Sequence, residues 1–455
     1  MVLLHIGIDD TDSPRGGCTT YIAALLVEKL SPLAIFRDYP NLIRLNPNVQ
    51  WKTRGNGAVC LRIESPRDEI SRIEEIVVET VEENSDIGYA KTDPGIIFLE
   101  GPLTSETQEF GKRCLREVVT KAEAFKTLKH NHGEGIGYGS GIGLIGALAA
   151  VGNLLEGDHT YELLAYRRTD NRGSERRVNS TSVLAMDRAT KGTTFSNVDW
   201  ERKRVLITPR GPDPVLLGIR GESCEAVKKA FVQVSLGENV ERWVVFRTNQ
   251  GTEQHLPPKG KIASFRPRCP IVADGTVSQN PKSIPGRHVI FKLRDESGEI
   301  YVAAYEPSGN LRKIARELKV GDRLRVFGGV RPAEGTIPLT INLEKLEILD
   351  IVQETVYTNP SCPSCARSME SMGMEKGYRC RCCGLREPFG QQVSSLLKRS
   401  VEPGLFLPPP RSQRHLTKPL SRYGLERPYL QVIPKNFWGL DFPNEGTTSK
   451  ASVST

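Results

Sequence analysis

The 455-residue sequence contains no run of 18 apolar residues, the length a helix needs to cross about 30 Å of hydrocarbon, so no membrane span is expected. It has no basic stretch ahead of its first apolar one. The opening MVLLHIGIDD breaks at two aspartates, which argues against a secretory leader. No internal repeat is visible, and no Lys-x-Asp-Gly motif is present to carry a nucleotidyl group as in ligase-like enzymes. Six of the ten cysteines (Cys18, Cys60, Cys114, Cys224, Cys269 and Cys382) are scattered, which suits a reducing cytoplasm rather than a disulfide framework.

What is present is ordinary globular composition, 38% hydrophobic and 25% charged. The length exceeds what one core usually holds, so three or four domains are expected. Net charge is +8 and uneven: from Ile351 to Thr455 there are 14 Lys/Arg against 8 Asp/Glu, leaving +6 in the last quarter. Such an end suits a phosphate backbone, or a solvated surface.

The other four cysteines, Cys362-x-x-Cys365 and Cys380-x-x-Cys383, have the spacing of a zinc ribbon. Each Cys-x-x-Cys turn aims two thiolates at one point, and a tetrahedral ion needs four. Redox pairs are the alternative. Cys382 lies inside the second pair and fits the spacing less well.

Apolar runs and turn signals predict strands at Leu3–Ile8, Leu42–Leu45, Ala58–Ile63, Ile96–Leu99, Tyr161–Tyr166, Ser182–Met186, Arg204–Ile207, Val215–Ile219 and Arg242–Phe246. Helices are expected at Thr20–Leu30 (capped by Thr19 or Thr20), from Ser65-Pro66 to Glu82, over most of Ser105–Leu128, and at Leu144–Leu155 and Cys224–Val234. From Pro270 the rhythm changes to strands: Val289–Leu293, Ile300–Ala304, Arg323–Phe327 and Leu339–Leu349, with a helix at Leu311–Leu318. A fifth strand near Pro270–Val277 would complete an OB barrel.

Three aspartates, Asp9, Asp10 and Asp12, follow the first strand where a phosphate-binding loop would sit. Carboxylates repel phosphate unless a cation lies between, so these residues suit Mg²⁺ on a triphosphate. Gly16-Gly17 would let backbone N–H groups approach, with Cys18, Thr19 and Thr20 at the helix start. An Asp-rich turn capping a helix is the alternative. The glycine-rich stretch Gly133–Gly143 could wrap phosphate or merely connect. Arg44, Lys52 and Arg54 bracket Trp51 as a nucleotide-binding hairpin would, and as a surface hairpin also would. Asn249 and Gln250 sit in a polar strand exit that could follow an RNA backbone.

Together these strings resemble the archaeal tRNA 2-agmatinylcytidine synthetases: Asp9-Asp-Thr-Asp with Gly17-Cys-Thr-Thr20, Leu42-Ile-Arg-Leu-Asn-Pro-Asn48, Trp51-Lys-Thr-Arg-Gly-Asn-Gly57, Gly143-Leu-Ile-Gly-Ala-Leu-Ala-Ala150 and Thr248-Asn-Gln-Gly-Thr252. The resemblance covers about Leu3 to Arg422. It implies a multidomain α+β protein with a kinase-like α/β catalytic domain (1–133), a ferredoxin-like domain (134–262), an OB-fold β-barrel (268–350) and a zinc ribbon (357–390). A basic Pro-rich extension (391–455) follows, its last dozen residues looking disordered.

The implied activity is that of a ligase forming a C–N bond. It attaches agmatine at the 2-position of the wobble cytidine in the CAU anticodon of an isoleucine tRNA, cleaving ATP to AMP. Thr19 would accept a phosphate, with Asp9, Asp10 and Asp12 as its acidic partners and Asp10 and Asp12 on Mg²⁺. Gly16, Gly17, Cys18, Thr20, Gly141 and Gly143 would face ATP. Arg44, Lys52, Arg54, Asn249 and Gln250 would face tRNA, and Cys362, Cys365, Cys380 and Cys383 would hold Zn²⁺. Neither a membrane nor an obligate protein partner is implied. The reading from another class is a non-catalytic RNA-binding protein with the same barrel, ribbon and tail.

Overall fold

The computed structural model describes residues 1–52, 55–89, 91–428 and 433–441. Its first unit is built on β1 (Val2–Asp9), β2 (Asn41–Arg44), β3 (Gly57–Ser65), β4 (Gly95–Glu100) and β5 (Glu134–Gly137), in the order β5–β4–β1–β3–β2 and antiparallel throughout. Helices α1 (Thr19–Leu30) and α2 (Ile70–Asn84) pack on each other at this sheet, as do α3 (Ser105–Cys114), α4 (Lys121–His130) and α5 (Gly143–Gly152). α5 reads GLIGALAAVG and is almost wholly buried because it lies between the sheet and α3. β5 and α5 follow position 133 yet pack on the first unit.

The second unit runs β6 (Thr160–Arg167), α6 (Ser180–Ala189), a short strand Thr194–Phe195, β7 (Val215–Gly221), α7 (Cys224–Phe231) and β8 (Val240–Thr248). Its strand order, last–first–third–second, is the ferredoxin-like arrangement expected. The strand predicted at Ser182–Met186 is instead the middle of α6. Val183 and Met186 are its buried positions, three apart on one helical face, and Asn179 caps it by accepting from Ser182 N–H. Of Arg204–Ile207, Arg204–Val205 is strand. The two units share one sheet. β8 joins β2 through two parallel pairs, Arg247↔Asn41 and Thr248↔Leu42.

The OB barrel is β9 (Pro270–Ile284), β10 (His288–Asp295), β11 (Gly298–Ala304), β12 (Arg323–Arg331) and β13 (Thr340–Asp350), with α8 (Asn310–Arg316) between the third and fourth strands. The expected fifth strand is β9, and it runs further than predicted. Closure comes from β11 pairing parallel with β13. Beyond the barrel, β14 (Glu354–Thr358) and β15 (Val393–Leu397) form a two-stranded stem for the cysteine knuckles.

The C-terminal segment departs from expectation. β16 (Gly404–Phe406) adds to β13, and β17 (Trp438–Leu440) adds to β8. Between them the chain is pinned by internal ion pairs: Arg414–Glu344 at 3.0 Å, Arg422–Glu222 at 2.6 Å and Arg422–Asp158 at 3.0 Å. Arg411 pairs with Asp199, and Arg399 with Asp322 at 2.8 Å. This is a docked strap rather than a free basic tail. Its final dozen residues lie outside those described. Among the described residues no helix is long and apolar enough to cross a membrane.

Arg422 is 1% exposed between two carboxylates. Arg422→Ala would strand both, so urea unfolding should show a loss of roughly 3–5 kcal/mol. A loss under about 1 kcal/mol, the scale of an exposed pair, would mean the strap is not docked.

Candidate active site

The aspartate loop leaves β1 and enters α1. Asp9, the last residue of β1, lays its carboxyl against the first turn of α5 at Gly146, where any Cβ would collide with Asp9 Oδ2. Asp10 has a left-handed backbone (φ 58°) and accepts from Asp93 N–H at 3.2 Å. Asp12 Oδ1 accepts from Thr19 N–H at 3.0 Å. Asp12, seven residues upstream, therefore caps α1 in place of Thr19 or Thr20, and Cys18 at the N-cap position makes no side-chain cap bond. Thr11 and Thr19, both buried, share a hydroxyl–hydroxyl bond of 2.9 Å. Gly17 is obligatory: its φ is +76°, and a Cβ there would lie 2.6 Å from Thr11 O.

The loop separates two clefts. The smaller, about 670 Å³, is lined by Asp9, Asp10, Trp51, Lys52 and the first turn of α5 at Gly143 and Gly146. The larger, about 1080 Å³, is lined by Asp12, Cys18, Thr19 and Thr20 on one side. Arg44, Glu162, Asp213, Arg220 and His415 line it on the other. Burial, then repulsion from Asp10, pushes the Asp9 carboxyl up to about 8, so it is mostly protonated at neutral pH. Burial pushes Asp10 up to about 6, against the lowering effect of the Asp93 N–H. Burial lifts the Cys18 thiol to about 12, and its Sγ sits 3.1 Å from Thr20 Oγ1. Cys18 is thus a neutral packing group rather than a nucleophile.

Several expected placements change. Asp10 and Asp12, expected to share Mg²⁺, face different clefts because the left-handed turn at Asp10 swings it toward Asp93. Gly143 is forced by contact with β4, since a Cβ there would meet Asp93 O and Gly95 N at 2.5 Å. Gly141 closes a turn onto Tyr138 O at 2.8 Å. Gly16, beside Gly17, bonds back to Ser13.

Asn249 and Gln250 are fully buried and do not face RNA. Asn249 bonds the backbone N–H and C=O of Arg44 at 2.8 and 3.0 Å, adding a side-chain rung to the β2–β8 seam. Gln250 holds Glu162. Arg44 points into the larger cleft, and Lys52 lies at the smaller one. Arg54 lies outside the described residues.

The ribbon cysteines meet as expected. Sγ atoms of Cys362, Cys365, Cys380 and Cys383 all lie within 4.8 Å of one another, the one such grouping of three or more metal-ligating side chains among the described residues. The two knuckles are built alike. Ala366 N–H bonds Cys362 O at 2.8 Å, and Gly384 N–H bonds Cys380 O at 3.0 Å, with Ala366 and Gly384 both left-handed. Cys383 and Cys382 backbone N–H groups lower the Cys380 thiol. Cys382 is exposed and stands outside the group. The donor set fits zinc.

Residues 5–139 match the TiaS TCKD domain, 141–255 the TiaS FLD domain, 271–349 the OB-fold nucleic acid binding domain and 359–401 the TiaS C-terminal zinc ribbon domain. The isoleucine-tRNA 2-agmatinylcytidine synthetase TiaS of Pyrococcus horikoshii is 43% identical over 419 residues, 92% of this chain and 97% of that one. The Methanocaldococcus jannaschii protein of the same name is 40% identical over 426 residues, 92% of this chain and 99% of that one. The chain belongs to the isoleucine-tRNA 2-agmatinylcytidine synthetase family. A crystal structure of apo TiaS superposes with a TM-score of 0.84 at 37% identity, covering 92% of this chain and 97% of that one. A crystal structure of TiaS in complex with its isoleucine tRNA, AMPCPP and agmatine does so at 0.80 and 35%, covering 93% and 98%.

Within this TiaS fold, sequence reasoning missed Asp93, Glu162, Asp213, Arg220 and His415. Glu162 had a signal, a carboxylate inside the apolar strand TYELLAYR. His415 had none.

Above about pH 4, where the unfolded chain gives them up, the folded chain keeps a proton on Asp10 to about pH 6 and on Asp9 to about pH 8. Their contribution is therefore full below about pH 4 and is lost as pH rises through 6 and then 8. In chelator, Asp9→Asn should lose less thermal stability than the parent between pH 6 and 9. Parallel melting curves would mean that Asp9 is ionised throughout.

Proposed function

We propose that this chain joins agmatine to C2 of the wobble cytidine in the CAU anticodon of an isoleucine tRNA, cleaving ATP to AMP, in the cytoplasm. One observation carries the reading: the Asp9–Asp12 loop forms a wall between two clefts, with Thr19 on the side of the larger.

The smaller cleft suits a triphosphate. The N-terminal turn of α5 lines it, bringing N–H groups and a partial positive charge. Lys52 adds a cation at the same place. Burial raises the Asp9 carboxyl, which favours its neutral form beside an anion. Asp10, which faces this cleft, would hold magnesium beside the triphosphate, and the ion when bound would neutralise phosphate charge against its carboxylate. Thr19 Oγ1, fixed by Thr11, is the hydroxyl to receive or relay the phosphoryl group.

The larger cleft has room for an extruded base and agmatine together. The cytosine 2-oxygen leaves poorly, so it is phosphorylated before the amine attacks. Agmatine must attack as its neutral amine, and the carboxylates of Asp12 and Asp213 suit both its guanidinium and the released proton. Extruding the base costs a few kcal/mol, roughly. The barrel and ribbon would grip the rest of the tRNA.

Asp12→Asn and Thr19→Ala should each cut tRNA- and agmatine-dependent AMP release by about 100-fold or more, the scale of a lost positioned charge, with tRNA affinity nearly unchanged. Parental turnover in Asp12→Asn would make the loop a mere turn. A non-catalytic binder would hold tRNA and release no AMP even as the parent chain. Cys365→Ser should weaken tRNA binding while the N-terminal half stays folded, because the ribbon has only a small core around its thiolates. Unchanged affinity would separate the ribbon from tRNA.

A further inference from the structure

At the inner end of the larger cleft, four side chains close a ring. Glu162, on β6, takes Arg220 Nε on one oxygen at 3.1 Å and the Gln250 amide on the other. Arg220 Nη2 and Gln250 Oε1 each lie 3.0 Å from Nδ1 of His415. His415 arrives from the far end of the chain on the docked strap, held there by backbone bonds. Gly251 N–H donates to His415 O at 2.8 Å, and Glu253 N–H to Leu416 O at 2.9 Å. The adjacent Arg414 reaches Glu344 of the barrel at 3.0 Å.

Arg220 is therefore gripped at Nε and at Nη2, while 24% of its side chain stays exposed on the cleft that holds Thr19. Among the described residues its Nη1 makes no hydrogen bond or ion pair. A guanidinium fixed on two edges and open on the third is prearranged for an anion. Arg44, Arg220 and burial keep His415 uncharged. Uncharged, and with its proton on Nε2, it accepts from Arg220 at Nδ1 instead of adding a third positive charge.

We propose that Arg220 holds an anionic phosphate or phosphoryl oxygen in the larger cleft, and that His415 is the positioning residue that fixes its guanidinium. The anion is either the phosphoryl group drawn from ATP toward Thr19 or a backbone phosphate of the bound RNA. The first source rests on the function proposed above; the second does not.

The test uses the full chain with tRNA, ATP and agmatine, and reads AMP release beside tRNA affinity at several salt concentrations. Arg220→Gln should lower kcat by about 100-fold, and millimolar guanidinium should restore part of it. His415→Ala should lower kcat by about tenfold with a smaller change in KM. His415→Asn, whose side-chain oxygen can accept from Arg220, should recover most of that loss.

Loss of turnover at unchanged tRNA affinity assigns the anion to the phosphoryl group. A fall in affinity, with the salt slope smaller by about one and normal turnover at saturating tRNA, assigns it to the RNA backbone. Parental turnover and parental affinity in Arg220→Gln overturn the proposal. An Arg220 defect without a His415→Ala defect overturns the positioning role. If Arg220→Gln does not fold, Arg220→Lys keeps the charge but loses the fork. It should lie between parent and Gln, and parental values there overturn the proposal equally. A parent chain that releases no AMP refutes the functional reading, while the affinity arm still decides Arg220.

Discussion

Two rungs of parallel pairing hold the catalytic architecture together. β2 and β8 meet only at Asn41–Leu42 and Arg247–Thr248, yet this seam makes one sheet of two units and sets the walls of the larger cleft. So short a ladder is weak alone, and side chains reinforce it. Asn249 bonds both backbone groups of Arg44, and Thr248 Oγ1 donates to Leu42 O at 2.6 Å. Arg247, 1% exposed, pairs with Asp38 and donates to the carbonyls of Leu154 and Leu155. A buried guanidinium satisfied on every side resists shear, because moving it would strand both the charge and its acceptors. Glu162 from β6 and Arg44 from β2 can then face each other across a few ångströms.

The aspartate loop works under the opposite constraint. The Asp9 and Asp10 carboxylates are near enough to protein and to their acidic neighbours that burial and repulsion raise both above the usual carboxylate range. A site so poised is costly to leave fully ionised and empty, and it becomes favourable when cationic charge enters. The fold supplies some compensation itself. Asp12 spends one oxygen on the start of α1 and Asp10 one on Asp93 N–H. Gly146 leaves room for the Asp9 carboxyl against a helix N-terminus. The three aspartates look alike in sequence but are three different chemical groups in the fold.

That difference marks what could be read from sequence. β1, β3, β4, β6 and β8 were legible because each is a run of buried apolar residues between turn signals. The ribbon was legible because four ligands at fixed spacing have few other uses. Ser182–Met186 misled because Val-Leu-Ala is a short apolar run without visible period, and the capping bond at Asn179 that makes it helical is local and polar. Asn249 and Gln250 read as surface because amides usually are. Their burial depends on partners some 200 and 90 residues away in sequence, which no local pattern records.

The strap shows why charge counts mislead about partners. The excess of positive charge from Ile351 onward gave the tail its nucleic-acid look, and the fold spends five of those cations on ion pairs within the chain. Arg399, Arg411, Arg414, Lys418 and Arg422 each pair with an acidic residue of an earlier unit. Ion pairs buried this way add little net stability compared with apolar packing, but they are exacting about geometry. An arginine seated between Asp158 and Glu222 fits one place only. A segment held by such contacts can carry a side chain to a defined position in a cleft made by other domains. The arrival of His415 between Arg220 and Gln250 follows from that geometry, and it couples the barrel, through Arg414 and Glu344, to the wall of the cleft.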